Sequence, residues 1–180
     1  VCVDKDPKKI EMLERGEVPI YEPGLDALMA KNVEAGRLSF TLDLASAIEG
    51  AEAVFIAVGT PMRRGDGHAD LTYVMAAATE IAEMSKDYLV VVTKSTVPVG
   101  TNRIVKETIR KANPGLEFDV ASNPEFLCEG AAIDDFMNPD RIVVGPRDEI
   151  AANALRQLNQ SFIDRDVAYI EVSASSAEMI

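Results

Sequence analysis

The chain has 180 residues, with 18 basic and 30 acidic side chains and a formal net charge of −12. Its 47% apolar and 27% charged composition, at one-domain length, excludes a disordered or fibrous class. The acidity excludes a phosphate-backbone binder, so no nucleic-acid partner is expected. No apolar window approaches the roughly 20 residues of a membrane span, so no membrane partner is expected either. Two cysteines, Cys2 and Cys128, are too few for a disulfide framework, and a reducing cytoplasm is the expected location.

The chain opens on Val1, Cys2, Val3 and Asp4, inside a strand-like run and without Met or a signal peptide, and closes on what reads as the first turn of a helix. Both ends are therefore expected to be truncations. Residues 1–3 predict a short core strand ending in Asp4. Asp6 as N-cap, Pro7 at the first helical position and Gly16 bound the first helix. A second helix is expected over residues 25–34, a short strand around Leu38 and Phe40, and a brief helix capped by Asp43 and stopped at Gly50.

Residues 53–58 form an apolar run of strand length, expected to be covered on both faces as in a parallel sheet. A Gly-rich loop to Asp70 precedes a helix whose Leu71, Val74, Met75, Ala78, Ile81 and Ala82 repeat with a 3.6-residue period. Residues 88–92 predict a buried strand, and residue 101 begins a helix with Ile104, Val105, Ile109 and Ala112 inward. Strands follow at 118–121, 141–145 and 167–172, with a short helix before residue 136 and a longer one over 149–162. This alternation predicts an α/β fold, a doubly wound and mostly parallel sheet.

Ligands of open α/β sheets lie beyond the carboxyl ends of the strands. Asp4 ends the first strand, Gly59-Thr60-Pro61 follows the third, Lys94-Ser95-Thr96 the fourth, and Asn123-Pro124-Glu125-Phe126 the fifth, with Glu129 close behind. Asp4 has two readings. As the acid at the end of the second strand of a dinucleotide fold it would accept from ribose hydroxyls and repel a 2′-phosphate, favouring NAD. Otherwise it is a helix-entry residue. Lys9 could reach a ribose or phosphate edge, or be a solvated lysine. Cys128 stands between Glu125 and Glu129, not in the electropositive setting of a reactive thiol, and reads as inert. Cys2 reads as a core residue. His68 is the only histidine, so a His triad or His-cluster metal site is not expected.

Six segments occur in order: Val3-Asp4, Tyr21-Glu22-Pro23-Gly24-Leu25, Val58-Gly59-Thr60-Pro61, Lys94-Ser95-Thr96-Val97-Pro98-Val99-Gly100, Asn123-Pro124-Glu125-Phe126-Leu127 and Pro139-Asp140-Arg141-Ile142-Val143. Together they resemble the UDP-glucose/GDP-mannose dehydrogenase family, and its UDP-glucose branch most. The resemblance implies a Rossmann-type fold lacking its first β-α unit, with residues 1–173 as an NAD-binding domain and 174–180 as the start of a helix linking to a substrate domain. It implies oxidation of the 6-hydroxyl of UDP-glucose to a carboxylate with two NAD, by a parent protein that is a homodimer or higher homo-oligomer. This chain alone would be inactive, because the family's covalent Cys lies in a later domain and Cys128 is not that residue.

By the same resemblance, Asp4 and Lys9 would contact the adenosine ribose. Val58, Gly59, Thr60 and Pro61 would line the pyrophosphate and nicotinamide ribose. Ser95, Thr96 and Val97 would approach the nicotinamide, with Thr96 also near the catalytic water. Glu125 would be the acid/base residue of the hydrolytic half, and Glu129 would touch cofactor and substrate. The backbone of Glu125, Phe126, Leu127, Cys128 and Glu129 would help hold the sugar nucleotide. Cys128 replaces what is commonly Arg, which puts one local contact in question. Two other expectations stand beside this one: a dehydrogenase of GDP-mannose or a UDP-N-acetylhexosamine, and a non-catalytic α/β nucleotide-binding module.

Overall fold

The run Leu89-Val90-Val91-Val92-Thr93 is buried at all five positions, which only a strand paired on both edges and covered on both faces allows. A computed structural model describes residues 1–63, 65 and 67–180. The elements run β1 (Cys2–Val3), α1 (Pro7–Glu14), α2 (Leu25–Glu34), β2 (Phe40–Thr41), α3 (Leu44–Ile48), β3 (Ala53–Ile56), α4 (Thr72–Met84), β4 (Leu89–Thr93) and α5 (Thr101–Ala112). They continue as β5 (Phe118–Ser122), α6 (Ala132–Met137), β6 (Arg141–Val144), α7 (Glu149–Leu158), α8 (Gln160–Ile163), β7 (Ala168–Glu171) and α9 (Ala174–Met179). The expected α/β alternation holds, and the fold is of the Rossmann type with parallel ladders.

Two compact units emerge: Val1–Glu49 with Phe126–Pro139, and Gly50–Glu125 with Asp140–Ile180. In the first, β1 pairs in parallel with β2. Asp6 caps α1 by accepting the Lys8 amide, and Asp43 caps α3 by accepting those of Ala45 and Ser46.

In the second, β4 pairs in parallel with both β3 and β5, and Ile56, Thr93 and Ser122 share one level at the carboxyl ends. Side chains alternate along β4. Val90 and Val92 pack with Ala121, Ile142, Val144 and the α7 residues Ala151 and Leu155. Thr93, on the opposite face, donates from Oγ1 to Asn102 Oδ1 of α5 at 2.9 Å. α4 and α5 pack on each other, with Val74, Ala78, Ile81, Ala82, Val105 and Ile109 buried. Helices thus cover both faces, as a doubly wound sheet requires. β6 pairs with β7, and Ser122 and Gly145 exchange backbone hydrogen bonds of 3.1 and 2.7 Å.

Several expectations need correction. β3 is not covered throughout: only Ile56 is buried and Phe55 is 41% exposed, because β3 is an edge of its sheet, paired only with β4 among the described residues. Cys2 is exposed, not in a core, because β1 is paired only with β2 among those residues. Ile104 lies 39% exposed on the outer flank of α5. The helix expected over 149–162 breaks at Asn159 into α7 and α8. No described helix is long and apolar enough to cross a membrane.

α9 is seated by close approach. A Cβ on Gly145 would lie 2.7 Å from Ala174 Cα and 2.8 Å from Ala177 Cβ, so only glycine fits beneath this helix. Replacing Gly145 by Ala must push α9 off, at a cost of about 1–3 kcal/mol. The expected result is a melting temperature lower by several degrees, at about 2–4 °C per kcal/mol; an unchanged melting temperature would contradict this seat.

A half-buried contact titrates. Tyr88 donates to Asp119 Oδ2 at 2.7 Å, and Asp148 caps α7 by accepting the Ala151 amide at 2.9 Å. Burial and a hydrogen bond to Asp148 raise the Asp119 carboxyl above the usual range. Burial alone would raise Asp148 too, but the bond from Asp119 and the α7 amides bring it below that range. The two neighbouring carboxyls are thus driven apart, Asp119 upward and Asp148 downward. A raised folded value means stability fully present below the unfolded value near 3.9 and lost as pH rises through the folded one. Asp119→Asn keeps the polar contacts without the charge. Its melting temperature should gain on the unsubstituted chain as pH rises from 4 to 8, and parallel profiles would count against a raised Asp119 carboxyl.

Candidate functional site

The second unit carries three adjoining strand ends, and the loops that leave them are tied together. The Lys94 and Ser95 amides both donate to the Ile56 carbonyl, at 2.9 and 3.2 Å. Ser95 Oγ donates to Val58 O at 2.6 Å, and Thr60 Oγ1 donates to Thr96 O at 2.8 Å. The loop after β3, with Val58, Gly59, Thr60 and Pro61, is therefore cross-braced to the loop after β4, with Ser95, Thr96 and Val97. Val97 anchors the latter as a buried residue. With their protons spent on carbonyls, the Ser95 and Thr60 hydroxyls can only accept from a ligand. The exposed Thr96 hydroxyl has no protein partner among the described residues, so it keeps both capacities.

A cleft of about 70 Å³ opens at these ends, lined by Ser95, Thr96, Ser122, Glu125, Glu178 and Ile180 among others. That is room for a few waters in a lining of mixed polar and apolar side chains. Thr96 and Glu125, expected to act together on water, do share this cleft. The Glu125 carboxylate is exposed and accepts no hydrogen bond from the described residues.

Two residues of this site carry no role in the sequence reading. Lys94 is half-buried at the end of β4, and its Nζ donates to Asn123 Oδ1 and Pro124 O, both at 3.4 Å. Burial pushes its ammonium below the ordinary lysine range, and the Glu125 carboxylate opposes that shift. It is a counter-charge beside the proposed base. A lysine immediately after a fully buried strand was the available signal. Glu178 of α9 spans the N-terminus of α5, accepting from the Gly100 amide through Oε2 and the Asn102 amide through Oε1, both at 2.6 Å. The carboxylate meets two orphan donors and the positive end of the helix dipole. Nothing local could have revealed a pairing across more than 70 residues.

In the first unit, Asp4 Oδ1 accepts the Asp6 amide at 2.9 Å and Oδ2 accepts Lys9 Nζ at 3.3 Å. The Asp6 amide, then Lys9, hold its carboxyl below the usual range despite some burial. Helix entry is thus one of its roles. An ionised carboxylate accepts about four hydrogen bonds, so accepting capacity remains beyond these contacts, and the residue fits an adenosine ribose. Lys9 is paired with Asp4, not simply solvated. Phe126, Leu127, Cys128 and Glu129 are exposed in the same unit. The Cys128 amide is already donated to Asp135 Oδ2 at 2.7 Å, so it is not a donor open to a sugar nucleotide; those of Leu127 and Glu129 have no partner among the described residues. No cluster of metal-ligating side chains occurs among the described residues.

Comparison with known proteins places this geometry. Residues 1–163 match the model of the UDP-glucose/GDP-mannose dehydrogenase family, NAD binding domain. A UDP-glucose 6-dehydrogenase of Rhizobium meliloti is 63% identical over 145 residues, which are 81% of this chain and 33% of that protein. The solved UDP-glucose dehydrogenase of Pyrobaculum islandicum superposes with a TM-score of 0.93 at 41% identity, over 98% of this chain and 41% of that one. A solved GDP-mannose dehydrogenase of Pseudomonas aeruginosa gives 0.92 at 34% identity, again over 98% and 41%. The chain spans about a third of the length of the curated relative and two fifths of the solved ones. With nine tenths of its residues matched to the family model and its parallel strands superposing so closely, this chain belongs to the NAD binding domain of the UDP-glucose/GDP-mannose dehydrogenase family.

Proposed function

We propose that the whole protein oxidises UDP-glucose to UDP-glucuronate, and that this chain is its cofactor-binding part. The observation that carries the reading is the cleft in which Thr96 and Glu125 meet beyond the ends of β4 and β5. Support for UDP-glucose comes from the high identity to a UDP-glucose 6-dehydrogenase. The close superposition on a GDP-mannose dehydrogenase keeps that sugar nucleotide as the second reading.

Converting a primary alcohol to a carboxylate removes two hydrides and adds one water oxygen. Bound NAD supplies the hydride acceptor. In the first unit, Asp4 and Lys9 would hold the adenosine ribose. In the second, residues 58–61 would line the pyrophosphate and nicotinamide ribose, and Ser95, Thr96 and Val97 would flank the nicotinamide. For the hydrolytic half, Glu125 would take a proton from water on a carboxylate oxygen while the Thr96 hydroxyl orients that water. Lys94 would stand beside Glu125 as a positive charge facing the reacting water. The Glu178 bridge keeps the loop carrying Thr96 at a fixed place against α5. The amides of Leu127 and Glu129, without partners among the described residues, would serve the sugar nucleotide. In the intact protein, α9 would continue toward a substrate domain that carries the nucleophilic cysteine. Association into a homodimer or larger assembly, in the cytoplasm, belongs to the same proposal.

Turnover by the full-length protein on UDP-glucose, GDP-mannose and UDP-N-acetylglucosamine, read as NADH absorbance, tests the substrate. UDP-glucose should give the highest kcat/KM, with two NADH per sugar, and the 180-residue chain alone should give none. Preference for another sugar nucleotide would overturn the substrate, and turnover by this chain alone would overturn its assignment as one part. Glu125→Gln should lower carboxylate formation by about 10²–10⁴-fold, the usual worth of a general base.

A further inference from the structure

The segment from Tyr21 to Leu25 is prominent in the sequence, yet no role falls to it in the chemistry above. In the first unit its Glu22 carboxylate, half-buried, accepts the Gly130 amide through Oε2 at 2.9 Å, across 108 residues of sequence. Two residues on, Gly24 adopts φ +83, and the methyl of Ile133 Cδ1 on α6 lies 3.9 Å from where a Cβ would stand. The segment is therefore seated on the loop and helix that follow residue 125.

That loop needs holding. Residues 126–130 are all exposed, so no buried side chain fixes them. The turn closes with the Ala131 amide on the Cys128 carbonyl at 3.0 Å, and Gly130 takes φ +84, a conformation open to glycine. Two carboxylates then clasp alternate amides, Asp135 on Cys128 and Glu22 on Gly130. The amides between and before them, on Glu129 and Leu127, stay without partners among the described residues. Asp135 acts from the adjoining helix. Glu22 is the distant member, and charge-assisted bonds to backbone amides are among the stronger and more directional contacts open to an exposed loop.

We propose that Glu22 is a positioning residue: its carboxylate holds the turn at Gly130 so that the Leu127 and Glu129 amides face a sugar nucleotide as a preformed pair of donors. This rests on the reading that the loop binds the nucleotide sugar. Glu22 itself touches neither substrate nor cofactor in this account. Its removal acts on substrate affinity through the loop.

The test uses the full-length protein with Glu22→Ala, Glu22→Asp and Glu22→Gln. Aspartate keeps the charge and loses the reach, whereas glutamine keeps an acceptor at the right distance. Both Ala and Asp should raise the KM for UDP-glucose by about tenfold and leave the KM for NAD and kcat within about twofold, the pattern of lost uniform binding. Gln should restore the KM. Amide hydrogen exchange over residues 127–131 should quicken in Ala and Asp, not in Gln, with the rest of the chain unchanged. An unaltered KM and exchange in Ala and Asp would overturn the proposal, as would an equal rise in both KM values. Should the Ala protein not fold, the Asp and Gln proteins decide. If the unsubstituted protein turns over none of the three sugar nucleotides, the functional reading falls; exchange over 127–131 still decides whether Glu22 holds the loop.

Discussion

Everything functional in the second unit depends on one constraint, the complete burial of β4 between two parallel neighbours. A strand paired on both edges and packed on both faces cannot slip by a residue without turning its apolar set inside out. Its register fixes Ile56, Thr93 and Ser122 at one level, so the chain leaves three strands at the same edge of the sheet. The loops that follow are close together because the strand ends are.

Burial does not finish the site, however. Loops leaving a sheet edge have no core of their own, and this protein fixes them with polar contacts. Ser95 and Thr60 donate to carbonyls of the opposite loop, and Glu178 bridges two amides at the start of α5. Gly145 lets α9 approach closely enough for that bridge to form. A backbone contact under one helix thereby sets the position of the segment that bears Thr96. In the first unit the same device recurs, with Glu22 and Asp135 on the amides of Gly130 and Cys128.

What the sequence made legible was whatever depends on local order. Apolar period and caps located most elements: Asp6 and Asp43 cap where their spacing implied, and α2 has the expected bounds. The strand-end rule pointed to Ser95, Thr96 and Glu125, which do line one cleft, because position along a strand is a sequence property. Pairing between distant elements was not legible. An apolar run looks the same in a central strand and in an edge strand, so Phe55 and Cys2 were expected inside and lie exposed. Asn159 interrupts a helix whose apolar spacing runs on through it. The bridges from Glu178 and Glu22, and the opposed Asp119 and Asp148 carboxyls, join residues far apart in the chain, and no periodicity announces them.

The central claim is that the braced loops beyond β3 and β4 form the nicotinamide side of an NAD site. Hydrogen exchange of the full-length protein with and without saturating NAD tests it most directly. The account predicts added protection at residues 58–61 and 95–97, with none at the opposite strand ends around residues 87–89 and 117–119. Bound NAD that leaves residues 58–61 and 95–97 unprotected, or protects the opposite ends instead, would contradict it.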